Sequence, residues 1–197
     1  MIAYLQGEIK ELEATHLVID VQGVGYFVNI PLSAYDVFKG KKNAMVLTHL
    51  HIKEDAHTLY GFHQPLEKSL FLDLISISGI GPSTAIGMLS AMSPNEIKGA
   101  IVAENVKQIQ SIKGIGAKTA QRVILELKDK FKKEDLIISS SESSAFANNS
   151  LKKEALTALT NLGFAKNSAE KVIDKILQKQ GEKLSLEELI KQALKSA

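Results

Sequence analysis

The chain has 197 residues, 45% of them hydrophobic, enough for more than one packed core, and no cysteine, which excludes a disulfide framework and any thiolate metal site. No apolar run approaches membrane-spanning length and Met1–Leu5 lacks a basic leader region, so a soluble cytoplasmic protein with no membrane association is expected. The net charge of +2 is uneven: residues 63–133 carry 10 Lys/Arg against 6 acids, 1–62 carry 5 against 7, and 134–197 carry 9 against 9, so a polyanion should bind the middle segment.

Residues 1–62 read as strands. Apolar and polar residues alternate through Ile2–Ile9, Leu17–Val21, Tyr26–Ile30, Val46–Ile52 and Thr58–Phe62. Gly7 suggests a bulge or bend, and Gln22-Gly23-Val24-Gly25 a tight link between strands two and three. Pro31 ends the third strand and Leu32–Phe38 reads as a short helix. Five strands with a helix after the third predict a small closed barrel of the OB type over residues 1–63. Its aromatics Tyr26, Phe27 and Tyr60 suit a core as well as a surface. His49 and His51 share one strand face, but no third ligand has suitable spacing, so they read as ordinary strand histidines. Glu54 and Asp55, between strands four and five, read by themselves as a solvated turn.

Residues 64–133 read as helical, and a nine-residue stretch occurs twice in them. Ile-Ser-Gly-Ile-Gly-Pro-Ser-Thr-Ala at 77–85 is matched by Ile-Lys-Gly-Ile-Gly-Ala-Lys-Thr-Ala at 112–120, with six identities at an offset of 35. Each copy reads as helix, tight turn, helix. Gly79 and Gly114 permit positive φ, Gly81 and Gly116 leave the backbone bare, and Ile80 and Ile115 plug the turn onto its helices. The first N–H groups of the new helix, including those of Ser83 and Thr84 or Lys118 and Thr119, have no internal partner and lie at the positive end of the helix dipole. Such a corner suits one phosphate. Pro82 fits the first helical turn, and Lys118 can add a charge-assisted contact. Ser93-Pro94-Asn95-Glu96 forms a capping box opening a connecting helix, and Asn105 caps the next. The helix after the second turn runs from Lys118 to about Lys132. Its lysines 128, 130, 132 and 133 complement the dipole in any protein and are not counted as ligand contacts. The duplicated turn resembles the helix-hairpin-helix motif, which grips DNA backbone without reading bases.

Residues 134–149 are serine-rich and read as a flexible linker. Residues 150–197 read as three short helices: Leu151–Leu162 stopped at Gly163, a second capped by Asn167 with Glu170, and a third capped by Ser185 with Glu188. The Asn161-Leu162-Gly163-Phe164 loop resembles that of ubiquitin-associated-like bundles. A tethered, neutral bundle of this size suits partner binding.

Taken together, barrel, tandem hairpins, linker and bundle are similar to the RuvA family of Holliday junction-binding proteins. The opening Met1-Ile2-Ala3-Tyr4-Leu5-Gln6-Gly7, Gly23-Val24-Gly25-Tyr26 and Glu54-Asp55…Leu59-Tyr60-Gly61-Phe62 also fit it. The resemblance implies a multidomain α+β fold and a homotetramer, in one or two copies, that binds a four-way DNA junction. It implies that Glu54 and Asp55 form an acidic pin at the crossover, reversing the turn reading above. It further implies that the C-terminal bundle binds the RuvB motor hexamer, here around Leu162 and Phe164, with the RuvC resolvase as a further partner. No cofactor, metal or catalytic residue is expected. Ser83 departs from the lysine frequent there in relatives, so the first corner relies on backbone N–H groups and the Ser83 and Thr84 hydroxyls for a weaker grip. A hairpin-motif glycosylase or nuclease is disfavoured, because Glu126 and Asp129 have no evident partnered nucleophile. A third reading is an adaptor whose hairpins bind protein, which predicts that any junction binding survives bulky residues at Gly114 and Gly116.

Overall fold

The computed structural model describes residues 1–139, 146–180 and 184–196, and the chain divides into two compact units, 1–134 and 135–197. Among the described residues no helix is long and apolar enough to cross a membrane.

Unit 1 opens with strands β1 (Tyr4–Leu12), β2 (His16–Val21), β3 (Val24–Asn29), β4 (Asn43–Ile52) and β5 (His57–Phe62), with helix α1 (Leu32–Phe38) after β3. They close into a barrel in the order β1-β2-β3-β5-β4. The β3–β5 pair is parallel and the other pairs are antiparallel. The β2–β3 turn places both Gln22 (φ 53°) and Gly23 (φ 89°) in the left-handed region, as a two-residue hairpin turn requires. The Gly23 N–H donates to Asp20 Oδ1 at 3.0 Å.

Gly7 has a different role from the bulge expected of it. The bulge lies between Ile9 and Glu11. A Cβ on Gly7 would lie 1.9 Å from the Asp20 carbonyl oxygen, so the glycine lets β1 pass hard against β2 while pairing with β4. Gly61 faces the barrel interior, where a Cβ would come within 2.5 Å of Val28 Cγ1 and 2.7 Å of Val46 Cγ1. Tyr60 is buried and Tyr26 packs against the barrel core, but Phe27 is 55% exposed and stacks on the His16 ring at 4.5 Å.

The rest of unit 1 is helical: α2 (Pro65–Ile75), α3 (Pro82–Ala91), α4 (Pro94–Val102), α5 (Val106–Gln110) and, of α6 (Ala117–Ser139), residues 117–134. The proline at the start of α2, α3 and α4 sits where a missing N–H costs nothing. The Ser93/Glu96 capping box is formed in both directions, and Asn105 Oδ1 accepts from the Gln108 N–H at 3.2 Å. One core runs from Tyr60 and Phe62 on β5 through Phe71 and Leu74 to Ile109, Val123 and Phe131, so barrel and hairpins share a hydrophobic seam. Phe62 and Tyr60 lie 4.9 and 5.2 Å from the Phe71 ring.

Glu67 is wholly buried at that seam. It accepts from Ser33 Oγ at 2.6 Å, which ties α2 to α1. His63 Nδ1 lies 2.8 Å from Glu67 Oε2, and the His63 backbone N–H donates to the same oxygen at 3.4 Å.

The linker expected over 134–149 is helical at both ends. α6 continues to Ser139, because 133–138 contains neither Gly nor Pro to stop it. In unit 2, α7 (Phe146–Asn161) starts four residues before the expected boundary; 140–145 lie outside the described residues. α8 (Lys166–Gln180) and α9 (Leu186–Ser196) complete the bundle around Ala155, Leu159, Ile173 and Leu189. α7 ends with Gly163 at φ 95°, the Gly163 N–H on Thr160 O and the Phe164 N–H on Leu159 O, a Schellman closure. Ser185 and Glu188 form their capping box. Asn167 does not cap α8: the helix starts one residue earlier, and Glu170 lies instead 3.7 Å from Lys152.

Candidate nucleic-acid interface

The two repeated stretches fold into the same corner. In the first, the Ile80 N–H donates to Ile77 O at 3.0 Å and Gly79 takes φ 96°. In the second, the Ile115 N–H donates to Ile112 O at 3.1 Å and Gly114 takes φ 91°. Ile77, Ile80, Ile112 and Ile115 are all buried, so each corner is nailed to the core by two isoleucines. Burial of each contributes about 1.5–3 kcal/mol to holding the turn.

The first bond of each following helix is Ala85 N–H to Gly81 O (3.0 Å) and Ala120 N–H to Gly116 O (2.9 Å). The N–H groups before them, of Ser83 and Thr84 in one corner and Lys118 and Thr119 in the other, have no helical acceptor. Gly79, Gly81, Gly114, Gly116, Ser83 and Lys118 are exposed; Thr84 and Thr119 are half-buried.

The glycines fall into two kinds. Gly79 and Gly114 have positive φ, which the turn itself demands. Gly81 has φ −88° and ψ 169°, ordinary extended backbone. A Cβ on Gly81 or on Gly116 would meet no atom within 4 Å. Neither backbone conformation nor internal packing calls for glycine there. Bare backbone at such a point leaves room for an external group to reach the helix N-terminus.

Three features of the site were not legible in the repeat. The Ser83 side chain neighbours the Tyr60 phenol across the seam. Burial pushes the Tyr60 phenol up from its ordinary value, and the neighbouring Ser83 opposes the rise. Arg122, on α6 behind the second corner, donates from Nη1 to Ser78 O beside the first at 2.9 Å, a hydrogen bond that links the two corners. The basic end of α6 is partly neutralised within the fold. Lys128 pairs with Glu104, whose carboxyl it holds below the usual range, and Lys130 pairs with Asp73.

Glu54 and Asp55 lie elsewhere, at the tip of the β4–β5 hairpin. The Lys53 N–H donates to Ala56 O at 2.9 Å and closes the loop with both carboxylates exposed. His49 and His51 have ring centroids 6.4 Å apart, and His49 packs against Phe71 at 5.7 Å. Burial, then His51 and Lys68, lowers the His49 pKa. In unit 2, Leu162 is 60% exposed, while Phe164 is half-buried against the bundle core. Phe164 lines an apolar groove of about 320 Å³ with Leu159, Ala165, Ala169, Val172 and Ala193; Leu162 is not part of its lining.

Comparison with known proteins divides the chain in the same way. The family model for the RuvA N terminal domain matches residues 1–61, that for the SAM-like helix-hairpin-helix tandem matches 71–129, and that for the RuvA C-terminal domain matches 150–197. A relative from Cytophaga hutchinsonii is 53% identical over 197 residues, covering 99% of each chain. Relatives from Christiangramia forsetii and Flavobacterium psychrophilum are each 47% identical, over 195 and 196 residues, covering 99% and 100% of each chain. All three carry the name Holliday junction branch migration complex subunit RuvA.

Proposed function

Since the chain belongs to the RuvA family, we propose that it is a non-catalytic DNA-structure binder that holds four-way junctions open and couples them to an ATP-driven motor. The observation that carries this reading is the paired corner. Each has an isoleucine-pinned turn, unsatisfied N–H groups at a helix N-terminus, and a glycine that nothing inside the chain requires. Each corner takes one backbone phosphate, through the N–H groups around Gly81, Ser83 and Thr84 or around Gly116, Lys118 and Thr119. Lys118 adds charge at the second corner. Contacts confined to phosphates carry no sequence information, which allows the duplex to slide past.

Four chains in a homotetramer present eight corners to the four arms. Glu54 and Asp55 of each chain gather eight carboxylates at the crossover, where they repel phosphates and keep the strands apart. The C-terminal bundle docks the RuvB motor through Leu162 and the Phe164 groove, and the RuvC resolvase joins the same assembly.

The test is equilibrium binding of a labelled synthetic four-way junction and of a linear duplex of the same length, across a salt series. Junction binding should be tighter. Its log–log salt slope should be several units, at most ~7 for eight corners at ~0.9 each, and lower where N–H groups replace lysine. Equal affinity for both DNAs, or junction affinity indifferent to salt, refutes the reading. Strand cleavage in Mg²⁺ without a motor would favour an enzyme instead.

A further inference from the structure

The two corners share a backbone but not a charge. No lysine or arginine occurs between Lys68 and Lys98, so the first corner has no cation of its own. The second corner has Lys118. The chain's one arginine, Arg122, lies on α6 behind the second corner, but its guanidinium reaches the first. Nη1 donates to Ser78 O, one residue ahead of Gly79, at 2.9 Å, while the side chain stays 51% exposed. Nε is 3.9 Å from Glu126, a loose contact, so the half-exposed guanidinium has donors to offer beyond the one on Ser78 O. A lysine could supply the charge but not a fork that grips a carbonyl with one arm and offers the others to a phosphate.

Resting on the phosphate-binding reading above, we infer that Arg122 is the cation of the first corner, supplied from the second hairpin. It thereby fixes the spacing of the two phosphate sites. The repeat is thus asymmetric in its wiring. The second corner carries its own charge on its first helical turn, and the first borrows one from a residue 44 positions beyond the carbonyl it holds.

Full-length wild type, Arg122→Gln, Arg122→Lys and Arg122→Gln/Ser83→Lys are titrated with a labelled four-way junction over a salt series. The arginine change is also made in Gly81→Val and Gly116→Val backgrounds. Arg122→Gln should weaken binding on the order of 10-fold and lower the salt slope by about 0.9 per engaged corner. Arg122→Lys should keep the slope and recover part of the affinity, and Ser83→Lys should restore the slope lost in Arg122→Gln. In the Gly81→Val background the arginine change should cost under about twofold, because its partner site is already closed, whereas in Gly116→Val its full cost should persist.

The reverse pattern would assign Arg122 to the second corner. An affinity loss without change in slope would reduce it to a structural strut. Either outcome overturns this inference alone. The parent reading fails separately, if wild type does not prefer the junction or if Gly81→Val/Gly116→Val binds it as wild type does.

Discussion

Gly81 and Gly116 offer a test in which binding and folding come apart. Both sites have open space where a Cβ would go, and Gly81 already has a backbone conformation that any residue adopts. Alanine there removes about 0.4–1 kcal/mol of unfolded-chain entropy without strain, offset at Gly81 by the poorer N-cap alanine makes, so stability should stay within about 1 kcal/mol of wild type. Valine should shift the unfolding midpoint by no more than about 3 °C. Yet the added methyl groups occupy the space through which a phosphate oxygen would approach the helix N-terminus. Displacing it forfeits a hydrogen bond to a charged group, about 1.5–3 kcal/mol. That corresponds to roughly 10- to 100-fold in affinity for each engaged corner. The loss should be graded, Val beyond Ala, and the double variant should lose more than either single. Gly79→Ala and Gly114→Ala are the contrast, because their positive φ strains any side chain and stability falls by about 1–2 kcal/mol. Thermal unfolding by circular dichroism and junction binding by fluorescence anisotropy measure the two quantities independently. Unchanged junction affinity in Gly81→Val/Gly116→Val would refute the reasoning. So would a loss of affinity matched by a loss of fold.

Further outcomes are expected elsewhere in the chain. Gly61→Ala drives a methyl into Val28 and Val46, whose branched side chains yield little, and should destabilise unit 1 by about 1–3 kcal/mol in chemical denaturation. Gly7→Ala meets backbone at 1.9 Å and should cost more; wild-type stability in either variant would contradict the barrel geometry. Glu54→Gln/Asp55→Asn should raise DNA affinity a few-fold at low salt and narrow the preference for junction over duplex, the gain fading as salt screens the charges. A salt-independent change would argue against a repulsive pin. Leu162→Asp, at an exposed site, should leave the far-ultraviolet dichroism unchanged while abolishing stimulation of the RuvB ATPase; retained stimulation would move the contact elsewhere. The lowered His49 pKa makes its contribution to stability present above the unfolded value of 6.5 and progressively lost as pH falls below it, towards the folded value. Thermal midpoints should decline on acidification through that window, and His49→Gln should flatten the decline.

The elements were legible where the physics is local. The strand alternation, the short helix over Leu32–Phe38, the prolines that open α2, α3 and α4, and the Ser93 and Ser185 boxes all depend on residues within one or two turns of each other. What the sequence concealed depends on neighbours brought in by topology. Gly7 looks like a bulge residue because glycine in a strand often is one. Only closure of β1 against β2 and β4 shows that its bare Cα accommodates the Asp20 carbonyl. Glu67, in the first turn of α2, carries no sequence signal of burial, yet the fold of β5 and α1 over that turn buries it against Ser33 and His63. Asn167 has the sequence of a cap, but α8 already begins at Lys166.

The same distinction separates the two glycines of each corner, which the repeat presents as equivalent. Gly79 is explained once its φ is known, since the chain itself needs the left-handed turn there. Gly81 is not: its dihedrals suit any residue and its surroundings would admit a side chain. A position that appears twice as glycine, without conformational or packing cause, points to a constraint from outside the polypeptide. The unsatisfied N–H groups beside it specify that constraint as an acceptor with negative charge. The buried isoleucine on the other side of the turn supplies the rigidity, because a corner free to flex would lose part of each contact to ordering entropy. Charge then became separable from geometry. Once backbone and isoleucines fix the first corner, its cation need not lie on its own helix, and α6 can present Arg122 there from the neighbouring repeat.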